Sequence, residues 1–344
     1  MKLTYLSIAA SLLAGGVASA SELVVVSYGG ENQAAQSRAY YTPYQRQSGV
    51  RIVADAWNGE FAKIKAMAAT GRARWDAVEV DAAAQGRGCE EGLLEKLDYK
   101  RIGDKADFVP GAAQPCAIGM FLASMVLAYN EDKLKTAPQS WRDFWDVKRF
   151  PGKRALRRGA PYTLEIALLA DGVPPAQVYK TLSTPAGVDR AFRKLDQLKP
   201  YIQWWESGAQ PPQYLLSGDV VMSSSYNGRI SLARREGRKL KMVWLNNISE
   251  FSYWAIPKGS PNKDEALKFI AFASRPEQQK LYSEQMPYGP SNRKALSLLP
   301  AAVQADLPSH PANMAGSLAM DAAFWTDNGE ALEQRFASWA AKRP

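Results

Sequence analysis

Three short β-branched runs, LVVVSY (23–28), VRIVADAW (50–57) and WDAVEVD (75–81), open the sequence and alternate with two helical segments. A strand–helix–strand–helix–strand order requires parallel strands joined by helical crossovers, so the fold class is α/β. Ligands in such sheets bind beyond the carboxyl ends of the strands. Tyr28, Gly29 and Gly30 end the first run and Asp81 ends the third, which makes them candidate site residues. A second α/β block follows without a linker or repeat. Residues 140–159 read as loop, short helix and strand, and GDVVMSSSYNGRI (218–230) as a strand entering an Asn227-Gly228 turn. KLKMVWLNN (239–247) reads as a further strand, and residues 250–285 as a strand, a turn and one long amphipathic helix.

Residues 1–20 have the form of a secretory signal peptide. Lys2 supplies the positive end, a short apolar run follows, and Ala18-Ser19-Ala20 meets the small-residue rule for cleavage. The run is too short to span a bilayer comfortably, and no lipobox cysteine follows it. The mature chain is therefore expected in the periplasm, beginning near Ser21. Cys89 and Cys116 are the only cysteines. An even pair in an oxidising compartment predicts a disulfide, the alternative being two buried thiols.

Composition removes several classes of function. One histidine and two cysteines leave almost nothing for a Cys/His metal site. His310 lies in a proline-flanked loop, reads as solvent-exposed, and makes a poor general base. No nucleophile elbow or phosphate-binding loop occurs, and Gly29-Gly30 lacks dinucleotide-binding spacing. The net charge of +9 (43 Lys plus Arg against 34 Asp plus Glu) could suit nucleic acid, but equally suits a soluble protein beside an anionic membrane. An exported chain points away from nucleic acid, and Arg234-Arg235 and Lys239–Lys241 read as a solvated face. Tyr40-Tyr41 could suggest ferric iron, but their mid-helix position favours packing.

Four segments together resemble the substrate-binding proteins of ABC importers, in the spermidine/putrescine-binding branch. They are Ser27-Tyr28-Gly29-Gly30 with its helix; Asp76 to Asp81 followed by EEGLLEKLD; GDVVMSSSYNGRISLARREG; and AIPKGSPNKDEALKFIAFASRPEQQKLYSEQMPYGPSN. The resemblance implies a two-lobed type II periplasmic-binding-protein fold, each lobe a mixed sheet with helices on both faces and ligand in the cleft between. Lobe 1 would comprise 21–129 with 255–298, and lobe 2 would comprise 130–254 with 299–344. Crossings would fall near 127–130, 252–256 and 295–300. It also implies a monomer that needs no cofactor or metal, does no chemistry, and delivers a small molecule to an inner-membrane ABC permease. A sensor or an enzyme on the same scaffold stays open, since fold does not settle function.

The departures from that branch bear on the ligand. Polyamine binders hold ammonium groups with carboxylates and stack the methylenes on aromatic rings. Here Arg229 stands where some relatives carry an Asp, Glu250-Phe251-Ser252 replaces an aromatic-x-Asp pattern, and ALRRGAPY (155–162), with Arg158, replaces an acidic stretch. Aromatic positions remain at Tyr28, Tyr226, Tyr288 and Trp325, with Trp205 as cleft wall or core. Asp81 stands where relatives have a small hydroxyl residue. A diamine needs anionic partners at both ends, whereas an arginine suits a carboxylate. Arg229 facing Asp81 across a cleft would fit a short ω-amino acid such as γ-aminobutyrate, with polyamine binding as the alternative. Arg229 could also be an exposed helix-start residue and Asp81 a helix cap.

Overall fold

The computed structural model describes residues 22–342, so the expected signal peptide lies outside the described residues. Ten strands are β1 (Glu22–Ser27), β2 (Arg51–Ala56), β3 (Ala77–Val80), β4 (Ala117–Asn130), β5 (Arg154–Arg157), β6 (Ile202–Trp205), β7 (Met222–Tyr226), β8 (Leu240–Ala255), β9 (Gly289–Pro290) and β10 (Leu318–Ala319). Their hydrogen-bonded order is β2-β1-β3-β8-β4-β7-β5-β6, with β9 on β4 and β10 on β8. β1 pairs in parallel with β2 and β3, and β5 pairs in parallel with β6 and β7. The first strands read as unbroken apolar runs because both of their faces are covered. Val25 and Ala77 face one core, and Val26 and Val78 face another.

The two parallel sets are joined by β4 and β8, which run antiparallel along each other through the middle of the molecule. Each long strand serves more than one core. On β4, Ile118, Met120, Phe121 and Ala123 pack with the N-terminal part, whereas Met125, Leu127, Ala128 and Tyr129 pack with the second part. On β8, Ile248 belongs to the second core and Trp254 to the first. The molecule therefore has two lobes that share two strands.

Several local expectations are corrected. The strands read separately at 239–247 and 250–256 are one, β8, whose register against β4 slips between Gly119 and Phe121 and between Met125 and Leu127. Asn246, with φ 57°, sits in the stretch of β8 looped out at the second slip; asparagine tolerates this left-handed conformation better than most residues. The long helix after the AIP strand is two helices, Lys263–Ala273 and Pro276–Gln285. Pro276 cannot donate a backbone hydrogen bond and holds Arg275 extended. Asn227-Gly228 are not a turn ahead of the helix but its first residues, the helix being Asn227–Arg235. His310 is half-buried, and its backbone caps the short Pro311–Met314 helix.

Tyr40 and Tyr41 are buried, in a π-helical segment (Ser37–Tyr41) just before Pro43, and Tyr40 stacks on Tyr282. Arg234 and Lys239 are paired at the surface with Asp306 and Asp132. No helix among the described residues is long and apolar enough to cross a membrane.

Two fastenings matter for the site. Cys89, at the end of the Ala82–Glu90 helix, is bonded to Cys116 at the start of β4, with Cα atoms 5.6 Å apart. Asn227 accepts the Ser124 N–H (3.0 Å) and donates to the Pro287 carbonyl (2.7 Å), tying a lobe 2 helix to the middle of β4 and to lobe 1. Gly228 permits that approach. A Cβ there would stand 2.7 Å from the Tyr288 ring and 2.9 Å from Met286 Sδ. Two outcomes follow. Thiol titration of the denatured, unreduced protein should find no free thiol, and the double Cys89→Ser, Cys116→Ser variant should lose about 3 kcal/mol in chemical denaturation. Gly228→Val should lose about 1–3 kcal/mol by overpacking against the stacked Tyr288 ring, and unchanged stability would mean that this junction is loose.

Candidate functional site

A cavity of about 300 Å³ lies between the lobes, its floor formed by the middle of β4 and β8. That is the lower end of the size range of small-molecule sites. Its residues come from the strand ends singled out by the sequence. Tyr28 follows β1, Asp81 follows β3, Tyr226 ends β7, and Arg229 sits in the first turn of the Asn227–Arg235 helix. A chain leaving a parallel strand for its crossover helix must turn at the carboxyl end, so these side chains reach one crevice.

The walls are aromatic. Tyr28 stacks on Trp57 with ring centroids 5.9 Å apart, and Tyr288 stacks on Phe121 at 4.7 Å. From lobe 2, Tyr226 meets Tyr162 and Trp205 edge to face. Trp205 is both wall and core: it lines the cavity, is buried, and donates to Ser224 Oγ at 3.0 Å. Trp325, also lining the cavity, donates its indole N–H to Glu165 at 2.7 Å. Tyr288 is buried, yet its hydroxyl has no hydrogen-bond partner among the described residues.

The charges fall into two groups. Arg229 lies beside Gly30 and Gly208: a Cβ on Gly30 would stand 3.6 Å from Arg229 Nη1, and one on Gly208 would stand 3.5 Å from Nε. The Arg229 guanidinium makes no hydrogen bond or ion pair among the described residues. The second group is acidic. Asp81 Oδ1 accepts the Ala84 N–H (2.7 Å), and Glu250 Oε1 accepts the Ala82 N–H (3.1 Å), so two carboxylates meet at the start of one helix. The Tyr162 hydroxyl donates to Glu250 Oε2. Burial raises the Asp81 pKa, and burial together with the Asp81 charge raises that of Glu250. Arg157, at the end of β5, faces this group. Burial opposes its charge, but Tyr226, Tyr162, Asp81 and Glu333 keep its pKa above the usual value.

A third carboxylate, Glu79, is buried and also lines the cavity. It accepts from Asn32 (2.8 Å), Gln36 (2.7 Å) and Ser252 Oγ (2.8 Å). Its burial raises its pKa while these donors pull it back.

Of the residues singled out by sequence, Tyr28, Asp81, Trp205, Tyr226, Arg229, Ser252, Tyr288 and Trp325 line the cavity. Gly29 and Gly30 do not. Both have positive φ and turn the chain, and Gly30 also leaves room for Arg229. Arg158 is exposed and paired with Glu206 at 2.9 Å, while its neighbour Arg157 lines the cavity. Successive residues at a strand end point to opposite sides, so the assignment is off by one residue. The sequence reading missed Glu250, Tyr162 and Arg157. The Glu250-for-aromatic replacement was the available signal for the first. No cluster of His, Cys, Asp and Glu able to hold a metal occurs among the described residues.

A family model for bacterial extracellular solute-binding proteins matches residues 39–312. The γ-aminobutyric acid-binding protein of Pseudomonas aeruginosa is 56% identical over 96% of this chain and 94% of its own length. A solved ABC transporter substrate-binding protein from Bradyrhizobium japonicum is 40% identical with a TM-score of 0.85, covering 93% of this chain and 99% of that one. A solved GABA receptor is 33% identical, also with a TM-score of 0.85, over 94% and 98%. With two lobes on shared strands and a lined cleft between them, the chain belongs to the bacterial extracellular solute-binding proteins.

Proposed function

We propose that this protein captures a short ω-amino acid, γ-aminobutyrate in the simplest case, and delivers it from the periplasm to an inner-membrane ABC permease. The observation that carries the reading is the separation of charge in the cleft. An arginine without a partner stands apart from a pair of carboxylates, with aromatic walls between. The Arg229 guanidinium takes the ligand carboxylate by two parallel hydrogen bonds. Asp81 takes the ammonium, and Tyr28, Tyr226 and Tyr288 cover the methylenes and offer ring faces to the cation. Relatives named for γ-aminobutyrate support the same ligand. A polyamine would place an ammonium against Arg229, so it fits less well. The protein acts as a monomer, without cofactor or catalysis.

We place the hinge where the cores change over, at Ser124 on β4 and between Ile248 and Tyr253 on β8. The limits 129/130 and 254/255 expected from the sequence fall within the same two strands.

Calorimetry with γ-aminobutyrate, putrescine and glutarate tests the ligand. Arg229→Ala should weaken γ-aminobutyrate binding by about 30- to 4000-fold, the effect of losing about 2–5 kcal/mol from a desolvated charged hydrogen bond. Asp81→Asn, which keeps a capping side chain, should weaken γ-aminobutyrate more than glutarate. Tight putrescine binding with none of γ-aminobutyrate would sink the reading in favour of polyamines. Wild-type affinity in both variants would put the site elsewhere.

A further inference from the structure

We infer that Glu250 and Asp81 together form the ammonium subsite, and that a primary ammonium enters it by displacing one proton shared by the two carboxyls. The inference rests on the ω-amino acid reading above and adds a residue and a linkage to it.

Geometry comes first. Asp81 and Glu250 arrive from different strands, yet they accept the N–H groups of Ala84 and Ala82 in the first turn of the Ala82–Glu90 helix, and both line the cleft. Each uses one oxygen on that helix. Glu250 Oε2 also accepts from Tyr162 of lobe 2, so the pair is reached from both sides of the cleft. Tyr288 lines the same cleft.

Charge counting gives the proton. Arg157 is the cation that acts on the pair, and it acts on Glu333 of the C-terminal helix as well. The other ionisable neighbours are Tyr162, Tyr226 and Tyr28, all held protonated by burial. Glu79, from β3, lies beyond Tyr28 and adds no positive charge. Two carboxylates and a third nearby against one guanidinium leave the empty site short of positive charge. A proton can fill that deficit, as in other carboxyl pairs that cannot both ionise. An ammonium brings the missing charge and three N–H donors, so the proton leaves to solvent.

The direction of the pH effect follows. Burial and the Asp81 charge push Glu250 up to about 8. Below that pH the empty pair holds the proton and ligand binding must expel it. The dissociation constant should therefore fall about tenfold per pH unit up to about pH 8, then level off. Neither end of γ-aminobutyrate titrates between pH 6 and 8, since carboxylates of this kind ionise near 4 and alkylammoniums near 10. Glu165, behind Trp325, is pushed up to about 7 by burial, so it serves as a control carboxyl in this window.

The test is calorimetry of γ-aminobutyrate binding to the wild-type mature protein at pH 6.5, in buffers of different ionisation enthalpy. The apparent enthalpy should change with buffer by the amount expected for about one proton released. Glu250→Gln should remove most of that dependence and flatten the pH profile, while Glu165→Gln should keep both. Binding without buffer dependence in the wild type overturns this inference and leaves the ω-amino acid reading standing. Proton release that persists in Glu250→Gln also overturns it, because the proton then comes from elsewhere. Absence of γ-aminobutyrate binding at every pH removes the ligand reading, and the inference falls with it.

Discussion

Everything in this molecule depends on two strands that refuse to stop at the edge of a lobe. β4 and β8 have 14 and 16 residues, against about 5–6 for a typical strand. Both backbones run through the two halves, and the hydrogen bonds between them form one ladder that both halves share. Because each serves different cores at its two ends, the changeover stretch also borders the space between the lobes. Phe121, Ala123, Glu250, Phe251 and Ser252 lie in or beside that stretch and form the floor of the cleft. The two register slips lie on either side of the changeover from one core to the other. A bulge bends a strand and increases its local twist, which lets the same ladder satisfy two sheets oriented differently.

The electrostatics of the cleft follow from that placement. A charge in a core must be paired, because leaving it unpaired costs several kcal/mol. Fully buried Arg154 obeys this rule by donating to the carbonyls of Phe144, Gly152 and Asp146. Glu79 obeys it with three side-chain donors and the more distant Tyr28 N–H. Three other charged groups that line the cleft are treated differently. Among the described residues Arg229 has no partner, and Asp81 and Glu250 have helix N–H groups and a tyrosine but no cation within ion-pair distance. Sites that bind ions leave this kind of incompleteness where the ligand is to supply the missing charge, and keep it rigid elsewhere.

The sequence made the strand ends legible because period and chain direction decide them. β1 and β3 end one parallel set and β7 belongs to the oppositely directed set of the other lobe, so the residues that follow them meet across the cleft, and Tyr28, Asp81, Tyr226 and Arg229 do. The disulfide was legible from compartment and parity alone. What escaped has physical reasons. Arg157 and Arg158 are adjacent at a strand end, and a shift of one residue reverses the face. Tyr162 and Glu250 are 88 residues apart, and their hydrogen bond exists only once the lobes face each other. The unity of β8 was hidden because the polar Asn246-Asn247 pair ends one apolar run before the next begins, yet it lies in a bulged stretch of a single strand.

The contact opposite the hinge shows where the energy of closure can come from. The C-terminal helix, Ala322–Ala341, buries Phe324, Trp325, Leu332 and Phe336 in the lobe 2 core, yet it lies against the Ala82–Glu90 helix of lobe 1. Gly86 is the point of approach, since a Cβ there would stand 2.9 Å from Thr326 Oγ1. Beside it, Arg87 reaches Glu330 at 3.3 Å, but both groups are exposed and Arg87 is already paired with Glu91. Such a pair contributes little in water. Glycine contributes no side-chain burial either. The interlobe contact across the mouth is therefore close in shape and weak in energy, so it cannot by itself hold the lobes together. A ligand that satisfies Arg229 of lobe 2 and the acidic pair rooted on the lobe 1 helix supplies what this contact lacks. Closure and recognition then draw on the same interactions, and a solute too short to span the two charge groups would be held by one lobe alone.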